Sequence, residues 1–507
     1  MPVFLIISCR SSTEPGPLKQ QQSNTETINQ PSLTPAYPLT STPEPLPSST
    51  HPPSNESMKT TQVEVELSVE GPWLIYKNSD GYLVAINEDG TGRKVLTTDA
   101  STNSLVASIG PYLTYMIPSP VGGLLAYRTV SGDSNVQLTI LHLPDGGTVD
   151  EILLMSPGNE EELLAVVAFD PVWSPSGRYL AFVGAIDGPS ADIYLYDRQD
   201  GSIRWLTDGL NTAGMLQWSP DGKWIVHESI SRIHFMRPGG RVTLAVWAAS
   251  VDGSEVKKLY DFPYQENIES GVTQVFHGWI SDDRFVVAFE SPYDYTVNKA
   301  YVVDVTKGDY AELPYHSFNY SGITFDPTSE TLLMVFDSVE LTQGAILQGL
   351  YVVYLDGGEP RRISEELAYL RWYPEIERSV VQGYDTTMIV NTDGEIDAEL
   401  SEIGSEIYPS PNGRWFGYYG NGALTIYSLE GDIIQRFPLD WMHANHPLDL
   451  FWLPDSSGYY FKGDVTDGPG FNFYLVDEVG GEPVLIASDF TIASFPGPYP
   501  DVVWVMP

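Results

Sequence analysis

Residues 172–182 read VWSPSGRYLAF and residues 217–227 read QWSPDGKWIVH. Both join an aromatic residue to Ser-Pro, a polar turn with Gly and an alternating apolar run. Such a repeat constrains the fold strongly, because a unit of this size leaves one face uncovered and must stack on its neighbours. Aligned on the proline of this box, Pro175 and Pro220 are joined by Pro120 (IPSPVGGLLAYRT), Pro327 (FDPTSETLLMVF), Pro374 (WYPEIERSVVQG), Pro411 (PSPNGRWFGYY) and Pro454 (WLPDSSGYYF). In WISDDRFVVAF, Ser281 stands where the proline would be. Successive boxes lie 37 to 61 residues apart, within the range of propeller blades.

Each unit has a consistent physical logic. An aromatic-bearing strand enters, Ser-Pro with a polar Gly turn reverses the chain, and an alternating run such as KWIVH or RYLAF leaves. A second hairpin often follows, as in DIYLYDRQDGSIRWLT, LAVWAASVDGSEVKKL and LTIYSLEGDIIQRF. Asp-Gly and Gly-Gly supply the positive φ that two-residue hairpins need. Four short strands with no helix between units describe an up-and-down antiparallel blade. The expected fold is all-β, a single β-propeller. Trp173, Ser174, Pro175, Gly177, Trp218, Ser219, Pro220, Asp221 and Gly222, with Pro327, Pro374, Pro411 and Pro454, are read as structural residues of the repeat.

This pattern resembles the TolB-like, WD40-like propeller repeat, in which a W-S-P-D-G-[KR] turn precedes an I-A-F strand and a V-D-G hairpin ends in LT. WSPDGKWIV (Trp218 to Val226) matches nearly in full, and WSPSGRYLAF (Trp173 to Phe182) lacks only the Asp. The resemblance spans roughly residues 71–507 and implies fold rather than ligand.

The two ends of the repeat region are expected to share one blade. Residues 71–98 contain hairpin strands without a box, and ASFPGPYPDVVWVMP at the C-terminus contains the box-like Pro500-Asp501 and one strand. Eight internal boxes and this composite make nine units, one above the usual limit of eight. A weak unit such as that at Pro374 is therefore expected not to be independent. Eight blades are expected, with seven or nine open.

The first sixty residues differ in kind. Residues 6–9, IISC, resemble the bacterial lipobox, in which Cys9 would carry a lipid and become the mature N-terminus. No basic segment precedes it, and the apolar run Val3 to Ile7 is shorter than a secretory core of roughly 7–15 residues; an upstream start would repair both departures. Residues 10–62 are rich in Ser, Thr, Pro and Gln and cannot bury enough surface to offset their ordering entropy, so a tether is expected. The implied layout is a lipid-anchored segment (1–9), a linker (10–62) and the propeller (63–507), held outside the cytoplasm. Elsewhere no run approaches the ~18 apolar residues of a membrane-spanning helix.

Net charge is −41, from 26 basic and 67 acidic residues. That field repels phosphates and anionic lipid, which sets aside nucleic acid and leaves the membrane to the lipid alone. It suits a solvated acidic surface, a saline setting or a cationic ligand. Cys9 is the one cysteine, so the folded part has no disulfide and no thiolate metal site.

Candidate chemistry is sparse. Propellers also gate prolyl-oligopeptidase-like enzymes, but the chain has no G-x-S-x-G elbow, no βα alternation and no evident room for a catalytic domain after the last blade. His443 and His446 in WMHANHPLD could hold an ion on a helical turn, although a solvent-facing loop is the plainer expectation. The acidic stretches Asn87 to Gly90, Asp197 to Gly201 and Asn391 to Asp397 invite calcium, yet none completes the EF-hand pattern and each sits where a turn is wanted. Paired carboxylates for glycoside hydrolysis cannot be picked from spacing when the two would come from different blades. No cofactor or metal site is assigned.

The expected function is a non-catalytic binding platform at the cell envelope. It would be a monomer that meets an envelope protein or peptide at the channel mouth, since the TolB-like proteins it resembles bind envelope partners. The alternatives are a carbohydrate-active or metal-assisted hydrolase with its site in that mouth, and a ligand-capturing or sensing lipoprotein.

Overall fold

The structure, a computed structural model, describes residues 66–97, 116–130, 136–155, 166–490 and 502–507. Within 166–490 it leaves out 168, 188–189, 209–210, 234–240, 262–272, 291–296, 314–322, 327–330, 341–345, 356–357, 366–368, 374–375, 384–385, 392, 401–405, 421–422, 439–449 and 466–470.

Nine four-stranded antiparallel sheets form the blades of a β-propeller. In chain order, blade 1 contains Trp73–Lys77, Leu83–Asn87 and Lys94–Val95, and blade 2 runs from Met116–Pro118 to Gly147–Leu153. Blade 3 spans Val172–Trp173 to Ser202–Trp205, blade 4 Thr212–Trp218 to Val256–Asp261, and blade 5 Thr273–Trp279 to Asp309–Glu312. Blade 6 spans Ile323–Asp326 to Arg361–Ser364, blade 7 Tyr369–Tyr373 to Ile396–Leu400, blade 8 Glu406–Pro409 to Ile433–Pro438, and blade 9 Leu450–Trp452 to Val484–Phe490. In blades 2 to 9 the first strand is innermost, because these strands face one another around the ring. The fourth strands are outermost and largely exposed.

The expected clasp is present. Val502–Val505 pairs with Trp73–Lys77 and supplies the inner strand of blade 1. At the rim between blades 9 and 1, Arg93 bridges Asp489 at 2.6 Å and donates to the Tyr76 hydroxyl at 3.3 Å. Burial pushes the Tyr76 phenol up to about 12, so it stays neutral beside that carboxylate.

The expectation of eight blades, with seven or nine open, resolves to nine. The doubt about the Pro374 unit is corrected, because Tyr369–Tyr373, Arg378–Gln382, Thr387–Asn391 and Ile396–Leu400 form a complete sheet of their own. Its first turn has no box glycine and places positive φ on Glu377 (52°), as the blade 9 turn does on Ser456 (65°).

The box owes its composition to one turn. Ser174, Ser219 and Ser410 are buried, and each hydroxyl accepts the backbone N–H five residues on, from Tyr179, Trp224 and Trp415, at 3.0–3.1 Å. In the fullest box, Ser219 also donates to Asp221 Oδ1 at 2.8 Å, which accepts the Lys223 N–H at 3.0 Å. Gly177 and Gly222 close these turns at φ 67° and 69°, where a side chain is strained. Beside Gly222 a Cβ would touch Pro175 Cδ at 3.6 Å, whereas beside Gly177 it would lie 2.7 Å from Val121 Cγ2 and 2.9 Å from Ser119 Oγ. Gly222→Ala is therefore expected to cost about 1 kcal/mol, and Gly177→Ala clearly more. Urea midpoints check this, and equal losses would refute the packing argument.

The box tryptophans have a different task. An inner strand has no partner on its channel side, so some of its carbonyls lack a ladder bond. Trp173 Nε1 donates to Ile117 O (3.1 Å), Trp218 to Val172 O (2.9 Å), Trp452 to Tyr408 O (2.9 Å) and Trp504 to Trp452 O (2.8 Å). Each indole latches its own inner strand to that of the preceding blade. Apolar clusters fill the spaces between blades 9 and 1, 1 and 2, 2 to 4, 4 and 5, 6 and 7, 7 and 8, and 8 and 9.

Candidate functional site

The strand order sends the connections to two opposite ends of the ring. One end carries the box turns and outer hairpins. At the other end, each outer strand finishes and the inner strand of the next blade begins. A rigid ring with an open mouth at each end is a common setting for ligand sites. His443 and His446 belong to 439–449 and, like Cys9, lie outside the described residues.

The stretch Val166 to Asp170, just before blade 3, is tied down by a buried charge. Arg128, on the second strand of blade 2 (Leu124–Val130), is fully buried. Its guanidinium donates to Val166 O at 3.0 Å, Phe169 O at 2.9 Å and Val167 O at 2.9 Å, and lies 3.5 Å from Asp170 Oδ1. Phe169 then reaches across blade 3, and its ring occupies the place a Cβ would take on Gly214 of blade 4. The strand at Gly214 is bulged and Met215 has φ 54°.

Two more charges are buried at the same register. Counted from the residue before the box proline position (Ser119, Ser219, Leu453), Arg128, Glu228 and Lys462 each lie nine places on, in second strands of blades 2, 4 and 9. All three have zero exposure. Lys462 Nζ lies 4.9 Å from the centre of the Phe471 ring. Beside Glu228, the buried His227 has Nδ1 3.2 Å from Glu228 O and no partner for Nε2 among the described residues. Burial drives its pKa down to about 4, so it is neutral under ordinary conditions.

The channel wall itself is nearly uncharged. The nine inner strands carry one Lys or Arg, Arg371, and two acids, Asp326 and Glu406. Arg371 is exposed, and its guanidinium sits 5.1 Å from the centre of the Tyr373 ring. The Tyr373 hydroxyl donates to Ile407 O on the inner strand of blade 8 at 2.8 Å. Partly exposed apolar and polar residues lie on other inner strands of the ring, among them Val172, Gln217, Tyr408 and Phe451.

The acidic stretches weighed for calcium are outer hairpins at the opposite end. Glycines with positive φ, Gly90, Gly201 and Gly394, close them. Arg178 holds Asp197 at 2.8 Å and keeps its carboxyl below the usual range, and Arg378 holds Asp397 at 2.8 Å. Among the described residues, no group of three or more His, Cys, Asp or Glu could hold a metal ion.

The repeat residues thus divide by task. Trp173, Ser174, Gly177, Trp218, Ser219, Asp221 and Gly222 build turns and latches, Pro175, Pro220, Pro411 and Pro454 lie in box turns, and Pro327 and Pro374 fall outside the described residues. Sequence reasoning missed Arg128, Glu228, Lys462 and Arg371. Only the shared register of the first three, visible once the boxes are aligned, could have marked them.

No protein-family model matches the chain. Over 57 residues, 11% of this chain and 9% of the relative, it is 42% identical to the uncharacterized peptidase YuxL of Bacillus subtilis. Over 141 residues, 27% of this chain and 43% of the relative, it is 30% identical to the uncharacterized protein Atu1656 of Agrobacterium fabrum. The chain therefore matches less than half the length of either relative. Among solved structures, a eukaryotic initiation factor aligns over 86% of this chain and 98% of its own, with a TM-score of 0.52 and 14% identity. A dipeptidyl peptidase 4 of Porphyromonas gingivalis aligns over 76% and 60%, with a TM-score of 0.45 and 11% identity.

At 14% identity the likeness to the initiation factor speaks to the fold alone. The sequence likeness to a protein named as a peptidase corrects two expectations, the non-catalytic binding platform and the chain that is not an enzyme. The physical reason for the error is that the repeat motif specifies turns and latches, so its presence says nothing against catalysis. What the chain resembles in sequence, over a short stretch, is a peptidase.

Proposed function

We propose that this propeller serves peptide hydrolysis, admitting an extended peptide to its channel. The observation that carries this reading is the 42% identity over 57 residues to a protein named as a peptidase. The geometry fits the task. A closed ring with buried inter-blade clusters is rigid, so its mouth can exclude folded proteins while passing an unfolded segment. The wall of inner strands is largely apolar and half-exposed, which suits side chains of varied sequence.

Within this reading the described residues bind and exclude; they do not supply a recognised nucleophile. The test is to incubate the purified chain with a mixture of unstructured peptides and with a folded protein containing the same sequences, and to follow both by mass spectrometry. The expected result is shortened peptides and an intact folded protein. Intact peptides after prolonged incubation would contradict the proposal.

The lipobox-like IISC supports placing this activity outside the cytoplasm, with Cys9 as the lipid attachment. Metabolic labelling with palmitate in a bacterial host is expected to mark the chain and to be lost in Cys9→Ser. Equal labelling of both would refute the attachment site.

A further inference from the structure

We infer that Arg371 is an anchor inside the channel for a carboxylate of the bound peptide; this deepens the proposed peptide reading and rests on it. An inner strand is covered on one side by the second strand of its blade and flanked by neighbouring blades, so an exposed side chain on it opens to the channel. Arg371 is such a residue, and it is the one Lys or Arg on any inner strand. Among the described residues it forms no ion pair, whereas Arg93, Arg178, Arg362 and Arg378 each meet a carboxylate. In a chain of net charge −41, a cation that no carboxylate meets among the described residues is available to a ligand.

Its setting is built rather than incidental. The guanidinium lies against the Tyr373 ring at 5.1 Å, and that ring is fixed by the 2.8 Å bond from its hydroxyl to Ile407 O of blade 8. Stacking on an anchored aromatic removes rotamer freedom in advance and leaves the planar fork of donors free for two parallel bonds to a carboxylate. The overall negative field repels an anionic group approaching the ring, so a peptide carboxylate is held there only where a fixed local cation offsets that field. A C-terminus and an Asp or Glu side chain offer the same carboxylate chemistry, and the test separates the two sources.

The test measures binding of a short coumarin-labelled Ala/Pro/Gln peptide to the full chain. The peptide is made with a free C-terminal carboxylate, as the C-terminal amide, and as the amide with one internal Asp. The free acid, the Asp peptide or both are expected to bind roughly tenfold more tightly than the plain amide, equal to about 1.4 kcal/mol, with the gap narrowing at high salt. Arg371→Gln is expected to abolish the gap while leaving affinity for the amide and the urea midpoint unchanged, and Arg371→Lys to keep part of it. Equal affinity of all three peptides for the wild-type chain, or a gap that survives in Arg371→Gln, overturns the inference. A carboxylate preference without any cleavage sinks the hydrolysis reading and leaves the anchor standing. Cleavage without a preference does the reverse.

Discussion

Removal of residues 502–507 is expected to prevent the propeller from forming a closed, cooperatively folded ring. Val502, Val503 and Val505 are almost fully buried, and Trp504 latches to Trp452 O of blade 9. Burial of the three valines contributes roughly 2 kcal/mol each, and the lost ladder would leave Trp73–Lys77 as an unpaired inner edge. Together these approach the whole of a typical net stability of about 5–15 kcal/mol. The truncated chain should melt in a broad transition at much lower temperature and elute as an expanded or associated species. A synthetic peptide of residues 498–507, added in excess, should restore part of the transition by refilling the strand position. An unchanged melting curve in the truncated chain would mean that the ring is not closed by this strand.

Acid sensitivity centred on His227 is the second large effect. The side chain is buried between blades 3 and 4 with Nε2 unpartnered among the described residues, and its pKa is lowered from 6.5 to about 4 by desolvation. In the unfolded chain the imidazole protonates near 6.5; in the folded chain it resists until about 4. Between these values the unfolded state binds more protons, so stability falls with falling pH. The contribution is full above about pH 6.5, is lost progressively down to about pH 4, and amounts to ~3 kcal/mol over that window at 1.36 kcal/mol per unit. Relative to His227→Leu, the wild-type urea midpoint should fall as pH drops from about 6.5 to about 4, because only the wild type undergoes the proton-linked loss. Parallel pH profiles would show that His227 is not the titrating group. Carboxylates contribute their own acid loss below this window, so the comparison between the two chains isolates the histidine.

These expectations show where the sequence was informative. The blades were legible because one turn, with a buried Ser hydroxyl, a Pro and a positive-φ Gly, recurs in a form few residue types can satisfy. The clasp was legible because boxless hairpins open the region and a lone strand closes it. The Pro374 unit was doubted because nine units exceed the usual eight and its turn, with Glu377 at positive φ, carries no box glycine. Buried charges hid for a similar reason. In LLAYRTV, WIVHES and YYFKGDV the buried charged residue follows an apolar run, and nothing local distinguishes a solvent-facing position from one that, like Arg128, grips carbonyls just before the next blade. Arg371 in YLRWY is equally plain until the strand is known to be innermost. Function was the least legible of all, since the repeated residues are those that build turns and latches.

The most direct measurement asks whether peptide enters the channel. In a Cys9→Ser background, Val172→Cys places a thiol on the inner strand of blade 3 and Tyr310→Cys places one on the exposed outer strand of blade 5. The rate of maleimide labelling at each is followed with and without saturating peptide. The account predicts slowed labelling at 172 and an unchanged rate at 310. Equal rates at 172 with and without peptide would contradict it.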